Sequence, residues 1–215
     1  MRSTEARHQV VEYCRQLAAS PLGSSTSGNI SCLDREFDLM AISPSAMAYA
    51  DVTAADVVLM DRDGEVVDSA RRPSSEWAMH LGCYRRRDAV GAVVHTHSPA
   101  ATTLAVLGRE LPAVHYMIAL NGSDRVPLAP YHRFGSEALA AAAVAAMGEG
   151  WGCLLQNHGV LAAGPDLAAA WELALNIEFC SGLYLRASAV GEPHILSAEQ
   201  IAEVVAELGS YTPQR

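Results

Sequence analysis

The sequence predicts an α/β fold in which helices cover a mixed, mainly antiparallel sheet. Stretches with helical spacing alternate with short apolar runs of strand length, so the two element types are interleaved. Several strand pairs are joined by connections of hairpin length, which antiparallel neighbours allow and parallel ones do not. The chain has 215 residues, half of them hydrophobic, enough for one sizeable core. No repeat or long linker divides it, so residues 1–215 are expected to form a single domain.

Taken in order, residues 4–19 place Val10, Cys14, Leu17 and Ala18 at helical spacing, and Pro21 and Gly23 end that helix. Six small or polar residues, 24–29, lead into a strand at 30–33, and a second strand fits 37–42. Asp61-Arg62-Asp63-Gly64 is a turn between strands at 57–60 and 65–67. Pro73-Ser74-Ser75-Glu76 starts a helix continued by Trp77, Met79 and Tyr84. A strand at 90–95 follows, then a helix after Pro99 and an alanine-rich helix from Gly135 to about Met147. Strands are expected at 152–156 and 160–162. Pro165-Asp166 opens the longest helix, which runs to about Ser188 before Gly191-Glu192-Pro193 breaks it. The last helix starts at Ser197, whose Ser-x-x-Gln spacing is a capping box, and ends at Gly209.

Charge and cysteine usage exclude several function classes. A formal net charge of −9 argues against a nucleic-acid or anionic-membrane partner. No apolar run reaches the length of a membrane span, and Arg2, Glu5, Arg7 and Glu12 leave no room for a signal peptide's apolar core. Five scattered cysteines, with no Cys-x-x-Cys, read as reduced thiols filling core volume. A cytoplasmic protein is the expectation.

Chemistry concentrates in Val93-Val94-His95-Thr96-His97-Ser98. On a strand, side chains two apart share a face, so both imidazoles can reach one metal ion. His158, in Gln156-Asn157-His158-Gly159, also follows an apolar run and is the candidate third ligand; Gly159 permits a sharp turn beside it. Three histidines leave one tetrahedral position open, the arrangement of catalytic sites. His8, His80, His132 and His194 lack such company and read as surface or packed side chains. Glu76 stands at a helix start, where the dipole favours a carboxylate, so a purely structural first-turn role is a serious reading of it. Ser27-Gly28-Asn29, Ser45, Ser74 and Ser75 supply neutral donors that suit an anion, and equally suit caps and turns.

Five motifs occur in the order found in the class II aldolase/adducin family, which this chain resembles along nearly its whole length. They are Thr26-Ser27-Gly28-Asn29-Ile30-Ser31, Ser43-Pro44-Ser45-Ala46-x-x-Tyr49, Pro73-Ser74-Ser75-Glu76-Trp77-x-x-His80, His95-Thr96-His97 and Asn157-His158-Gly159. His115-Tyr116-Met117-Ile118, Pro130-Tyr131-x-x-Phe134-Gly135 and Tyr211 extend the match. The resemblance implies a three-layer α/β/α fold with a mainly antiparallel sheet, and a C4 homotetramer with zinc at subunit interfaces. It assigns zinc to His95, His97 and His158, and makes Glu76 the acid/base and a resting-state ligand. Phosphate would sit on Gly28, Asn29, Ser45, Ala46, Ser74 and Ser75, with Tyr116 and Tyr211 reaching the site from a neighbouring subunit. The chain departs at Ala46, where the family carries glycine and where a positive φ would be costly.

The implied activity is reversible cleavage of a ketose 1-phosphate, such as L-fuculose 1-phosphate, into dihydroxyacetone phosphate and a small aldehyde such as L-lactaldehyde. Zinc would be the Lewis acid for the enediolate's charge. The chain contains no lysine, which by itself rules out the Schiff-base route. Within the family, a pentulose-phosphate 4-epimerase and a methylthioribulose-phosphate dehydratase are the competing enzymes, and an adducin-like binding module is the non-enzymatic alternative.

Overall fold

The computed structural model describes residues 2–22 and 27–210. Among the described residues there are ten strands: β1 (Asn29–Asp34), β2 (Leu39–Ile42), β3 (Val58–Met60), β4 (Val66–Asp68), β5 (Ala92–Thr96), β6 (Leu111–Pro112), β7 (Arg125–Val126), β8 (Leu128–Ala129), β9 (Gly152–Leu155) and β10 (Gly159–Gly164). Six helices accompany them: α1 (Thr4–Ala19), α2 (Trp77–Arg86), α3 (Pro99–Val106), α4 (Glu137–Met147), α5 (Leu167–Val190) and α6 (Ala198–Ser210). Eight strands form one sheet, in the order β4-β3-β2-β1-β5-β10-β9-β8. Every pairing in it is antiparallel except β8 with β9, so the sheet is mixed and mainly antiparallel.

Alternation along the central strands divides two cores between the faces of that sheet. Ala92 and Val94 of β5 join Val10, Cys14 and Leu17 of α1, Leu104 of α3 and Ile177 of α5. Val93 points the other way, into a cluster with Met79, Leu81 and Tyr84 of α2 and Ala143 of α4. Helices thus cover both faces, giving three layers. The period-2 rule sends His95, two residues after Val93, to the α2 side.

Helix placement follows the sequence closely. α1 buries Val10, Val11, Cys14 and Leu17 on one face, while Ala18 is exposed. Arg7, fully buried on the same face, donates to the carbonyls of Ala54 at 3.1 Å and Val57 at 2.5 Å and pairs with Asp68 at 2.8 Å. That ties α1 to the β3–β4 hairpin. All five cysteines are free and buried; burial pushes the thiols of Cys14, Cys32 and Cys83 up to about 12, which leaves them inert.

Candidate metal centre and its cleft

The site is built on the middle of the sheet. Register places Asn29 of β1 opposite His95, and Leu161 of β10 opposite it on the other side. His97 lies just past the end of β5, and His158 sits in the tight turn between β9 and β10, where its N–H donates to Leu155 O at 3.0 Å. The residue that turns this chain left-handed is Asn157, at φ 54°. Gly159 serves a different need from the one expected: a Cβ there would lie 2.2 Å from Thr96 O and 3.0 Å from His97 Cδ2. Any side chain would push the two ligand-bearing segments apart.

The three imidazoles pack edge-to-face with centroids 4.8–4.9 Å apart. Nδ1 of His95 lies 2.7 Å from Val160 O, which can only accept, so Nδ1 carries the proton. In the neutral ring Nε2 of His95 then turns a lone pair towards His97 Nε2 at 3.0 Å and Glu76 Oε2 at 2.9 Å; in the protonated ring it donates to that carboxylate. His158 Nε2 lies 3.5 Å from Glu76 Oε1. One ligand atom from each of these four residues lies within 4.8 Å of the others.

That geometry fits a divalent cation. Electron pairs facing one another in a buried site repel unless a cation sits between them. Burial, with the charges of His95 and His158, pushes His97 down to about 4, so it stays neutral at ordinary pH. Burial would raise the Glu76 carboxyl, but His95 and His158 outweigh it and hold the group well below the usual carboxylate range. Its Oε1 is buried with no hydrogen-bond partner, an orphaned acceptor aimed at the cluster. Glu76 is the residue preceding α2, and its side chain makes no hydrogen bond to the helix N-terminus. The helix-start reading of Glu76 therefore does not describe what this carboxylate touches.

The cluster opens into a cleft of about 170 Å³ lined by Ser27, Gly28, Asn29, Ser45, Ala46, Ser74, Ser75, Glu76, His97 and His158, with Pro44 and Phe134 at its edge. All six residues of the expected phosphate cradle are among them. Three backbone segments are laced to build that wall. Ser43 bonds to Ile30 in both directions across β1, Ser74 N–H donates to Ser43 O at 3.1 Å, and Ser45 N–H donates to Arg72 O at 3.0 Å. The Tyr49 hydroxyl donates to Gly28 O at 2.6 Å and anchors the first segment. Gly28, at φ 104°, runs so close to β5 that a Cβ would lie 2.6 Å from His95 O. Ala46 does take the left-handed conformation, at φ 55°, so the loop follows the path a glycine would take despite the methyl. Among the described residues no lysine or arginine lines the cleft, and the donors they offer an anion are neutral hydroxyl and amide groups.

Tyr116 is half-exposed, stacked beside His115 at 4.7 Å, and does not line the cleft of its own chain. Tyr211 falls outside the described residues. His80 packs behind the site, with contacts that sequence did not reveal. His80, set aside as a packed histidine, is fully buried and touches Asn29 and Ser31. Burial pushes it down to about 3, with the His95 charge adding to the effect.

The end of β5, the β9–β10 turn and the start of α2 bring three imidazoles and a carboxylate together within a three-layer sandwich, the donor set of a metal-dependent enzyme. Residues 8–185 match the family described as the Class II Aldolase and Adducin N-terminal domain, and the chain belongs to that family. It is 42% identical over 208 residues, 97% of each chain, to a 5-deoxy-D-ribulose 1-phosphate aldolase of Bacillus thuringiensis serovar kurstaki. It is 40% identical to a 5-methylthioribulose-1-phosphate/5-deoxyribulose-1-phosphate aldolase of Rhodospirillum rubrum, over 95% of this chain and 91% of that one. Among solved structures, an L-fuculose 1-phosphate aldolase superposes with a TM-score of 0.94 at 38% identity, covering 97% of this chain and 98% of the other.

Proposed function

We propose that this protein is a zinc-dependent aldolase that reversibly cleaves a ketose 1-phosphate to dihydroxyacetone phosphate and a small aldehyde. The observation that carries the reading is the convergence, in one cleft, of the Glu76–His95–His97–His158 cluster with a wall of neutral donors. His95, His97 and His158 would hold the zinc, with Glu76 as a further ligand at rest. Three nitrogens and an oxygen are a donor set that suits zinc. Bound there, zinc supplies Lewis acidity for negative charge developing on the substrate oxygens.

The chain's own residues do the rest. Gly28, Asn29, Ser45, Ala46, Ser74 and Ser75 hold the phosphate and so fix the sugar's carbon chain relative to Glu76. When the C3–C4 bond breaks, its electron pair stays with the three-carbon fragment and Glu76 delivers a proton to C3; in the reverse direction it removes that proton. The unpaired Oε1 is the oxygen free to do so. Tyr116 and Tyr211 would serve the aldehyde oxygen from a second copy of the chain in a C4 homotetramer, each subunit acting as a single cytoplasmic domain with no nucleic-acid or membrane partner.

Relatives at 42% and 40% identity bear the name of 5-deoxyribulose 1-phosphate, and these favour a 5-deoxypentulose 1-phosphate over L-fuculose 1-phosphate. The aldehyde released is then acetaldehyde rather than L-lactaldehyde. The test is a panel of ketose 1-phosphates offered to the zinc-loaded protein, with dihydroxyacetone phosphate and aldehyde both measured. Release of dihydroxyacetone phosphate fastest from the deoxypentulose phosphate is expected. Interconversion of pentulose 5-phosphates, or consumption of methylthioribulose phosphate without any dihydroxyacetone phosphate, would replace this reading with the epimerase or the dehydratase.

A further inference from the structure

Beneath Glu76 runs a continuous line of buried polar groups. The Tyr84 hydroxyl lies 2.6 Å from Ser31 Oγ, which lies 2.7 Å from His80 Nδ1. On the other side of the ring, His80 Nε2 lies 2.5 Å from Asn29 Oδ1, and Asn29 Nδ2 lies 3.4 Å from Glu76 Oε2. All five residues are buried. Glu76, His80 and Tyr84 stand at i, i+4 and i+8 at the start and along one face of α2; Asn29 and Ser31 share one face of β1.

With Glu76 ionised, one arrangement of protons satisfies every contact. The carboxylate only accepts, so Asn29 must turn its NH2 group to it. The amide oxygen then faces His80, so Nε2 carries the imidazole proton and Nδ1 is left with its lone pair. Ser31 donates to Nδ1 and in turn accepts from Tyr84. Were the imidazole proton on Nδ1, the Asn29 amide would be drawn round and its oxygen would face the Glu76 carboxylate.

We propose that His80, Ser31 and Tyr84 are positioning residues for Glu76: their hydrogen bonds fix which way the Asn29 amide faces, and so hold Oε2 in place while Oε1 is left to exchange the substrate proton. This rests on the reading of Glu76 as the acid/base group. Its distinguishing content is a direction. A histidine that merely fills space needs the right shape, whereas this one needs its proton on Nε2.

The test uses the full chain loaded with zinc. ¹⁵N imidazole spectra should show His80 as the Nε2–H tautomer, identified by loss of its signals in His80→Gln. In Tyr84→Phe, which keeps the ring and its packing, Ser31 loses its donor and some Nδ1–H tautomer should appear. For exchange of the dihydroxyacetone phosphate C3 proton, His80→Met should lower kcat by about 10–100-fold, the usual effect of removing a partner behind a ligand, with KM little changed. His80→Gln, which keeps an N–H near the Nε2 position, should recover most of that loss. An Nδ1–H tautomer in the wild type, or equal kcat in the Met and Gln variants, would overturn the proposal. Should His80→Met not fold, Tyr84→Phe carries the same test, and an unshifted tautomer with unchanged kcat refutes it. If the wild type exchanges no proton at all, the aldolase reading fails; the tautomer and its response to Tyr84→Phe still decide whether the hydrogen-bond chain runs as stated.

Discussion

Replacing Ala46 by glycine should stabilise the protein, although glycine usually does the opposite. Ala46 stands at φ 55°, a conformation that costs an L-residue about 1–2 kcal/mol through the approach of Cβ to its own carbonyl. The loop has no freedom to relax: Ser45 N–H is bonded to Arg72 O at 3.0 Å, and Pro44 bridges Pro73. Its methyl is exposed, so removal opens no cavity. Against the relief stands the greater freedom of glycine in the unfolded chain, worth about 0.4–1 kcal/mol. Relief exceeds that penalty by roughly 0.5–1 kcal/mol, or about 1–4 °C in thermal midpoint for a chain of this size. The assay is thermal unfolding of both proteins at one fixed excess of zinc, with Ala46→Val as a control that should shift the midpoint downward. Affinity for phosphorylated ligands should stay the same, because the backbone path is unchanged. A midpoint that falls in Ala46→Gly would refute the reasoning, since it would mean the left-handed conformation carries no strain.

Glu76→Gln should retain fold and zinc while slowing C3-proton exchange in dihydroxyacetone phosphate by ~10²–10⁴, as followed by NMR in D₂O; unchanged exchange would leave Glu76 without a proton-transfer role. Ser75→Ala should weaken phosphorylated ligands by about 1.5–3 kcal/mol and leave unphosphorylated analogues alone, and an equal loss for both would place the phosphate elsewhere. In zinc-stripped protein, His80 makes stability fall on acidification. Its folded value, near 3, lies below the unfolded 6.5, so the unfolded chain binds the extra proton between those limits. The contribution is whole above about pH 6.5 and declines by up to about 1.4 kcal/mol per pH unit below it; denaturant titrations showing no decline between pH 6.5 and 5 would contradict the burial argument.

Much of this fold is legible in the sequence. Long helices announced themselves by spacing and punctuation, and α4 and α5 begin within a residue or two of their expected starts at Gly135 and Asp166. The His95–His97 pair is readable because the chain stays extended for one residue past β5, so two side chains two apart still share a face. What sequence concealed was short or distant. β6, β7 and β8 have two residues each, too few to show any period, and the parallel β8–β9 contact depends on chain that passes around α4. His80 carried a faint signal, the i, i+4, i+8 run of Glu76, His80 and Tyr84. A packed histidine leaves the same trace, and only the register of β1 sets Asn29 and Ser31 against it.

The order of strands across the sheet also bears on how long the folded chain lasts. His95 comes from β5 and His97 from just past its end, His158 from a turn some sixty residues on, and Glu76 from the start of α2; β1 and β10 must flank β5 before these groups meet. Only His95 and His97 are near neighbours in sequence; the other two donors reach the site through the fold. An ion that takes all four donors therefore selects the finished sheet alone, and at a concentration a thousand times its dissociation constant it adds about 4 kcal/mol to the cost of opening it. Resistance to unfolding should then track the supply of such an ion, so that protein stripped of metal opens more readily than protein loaded with it.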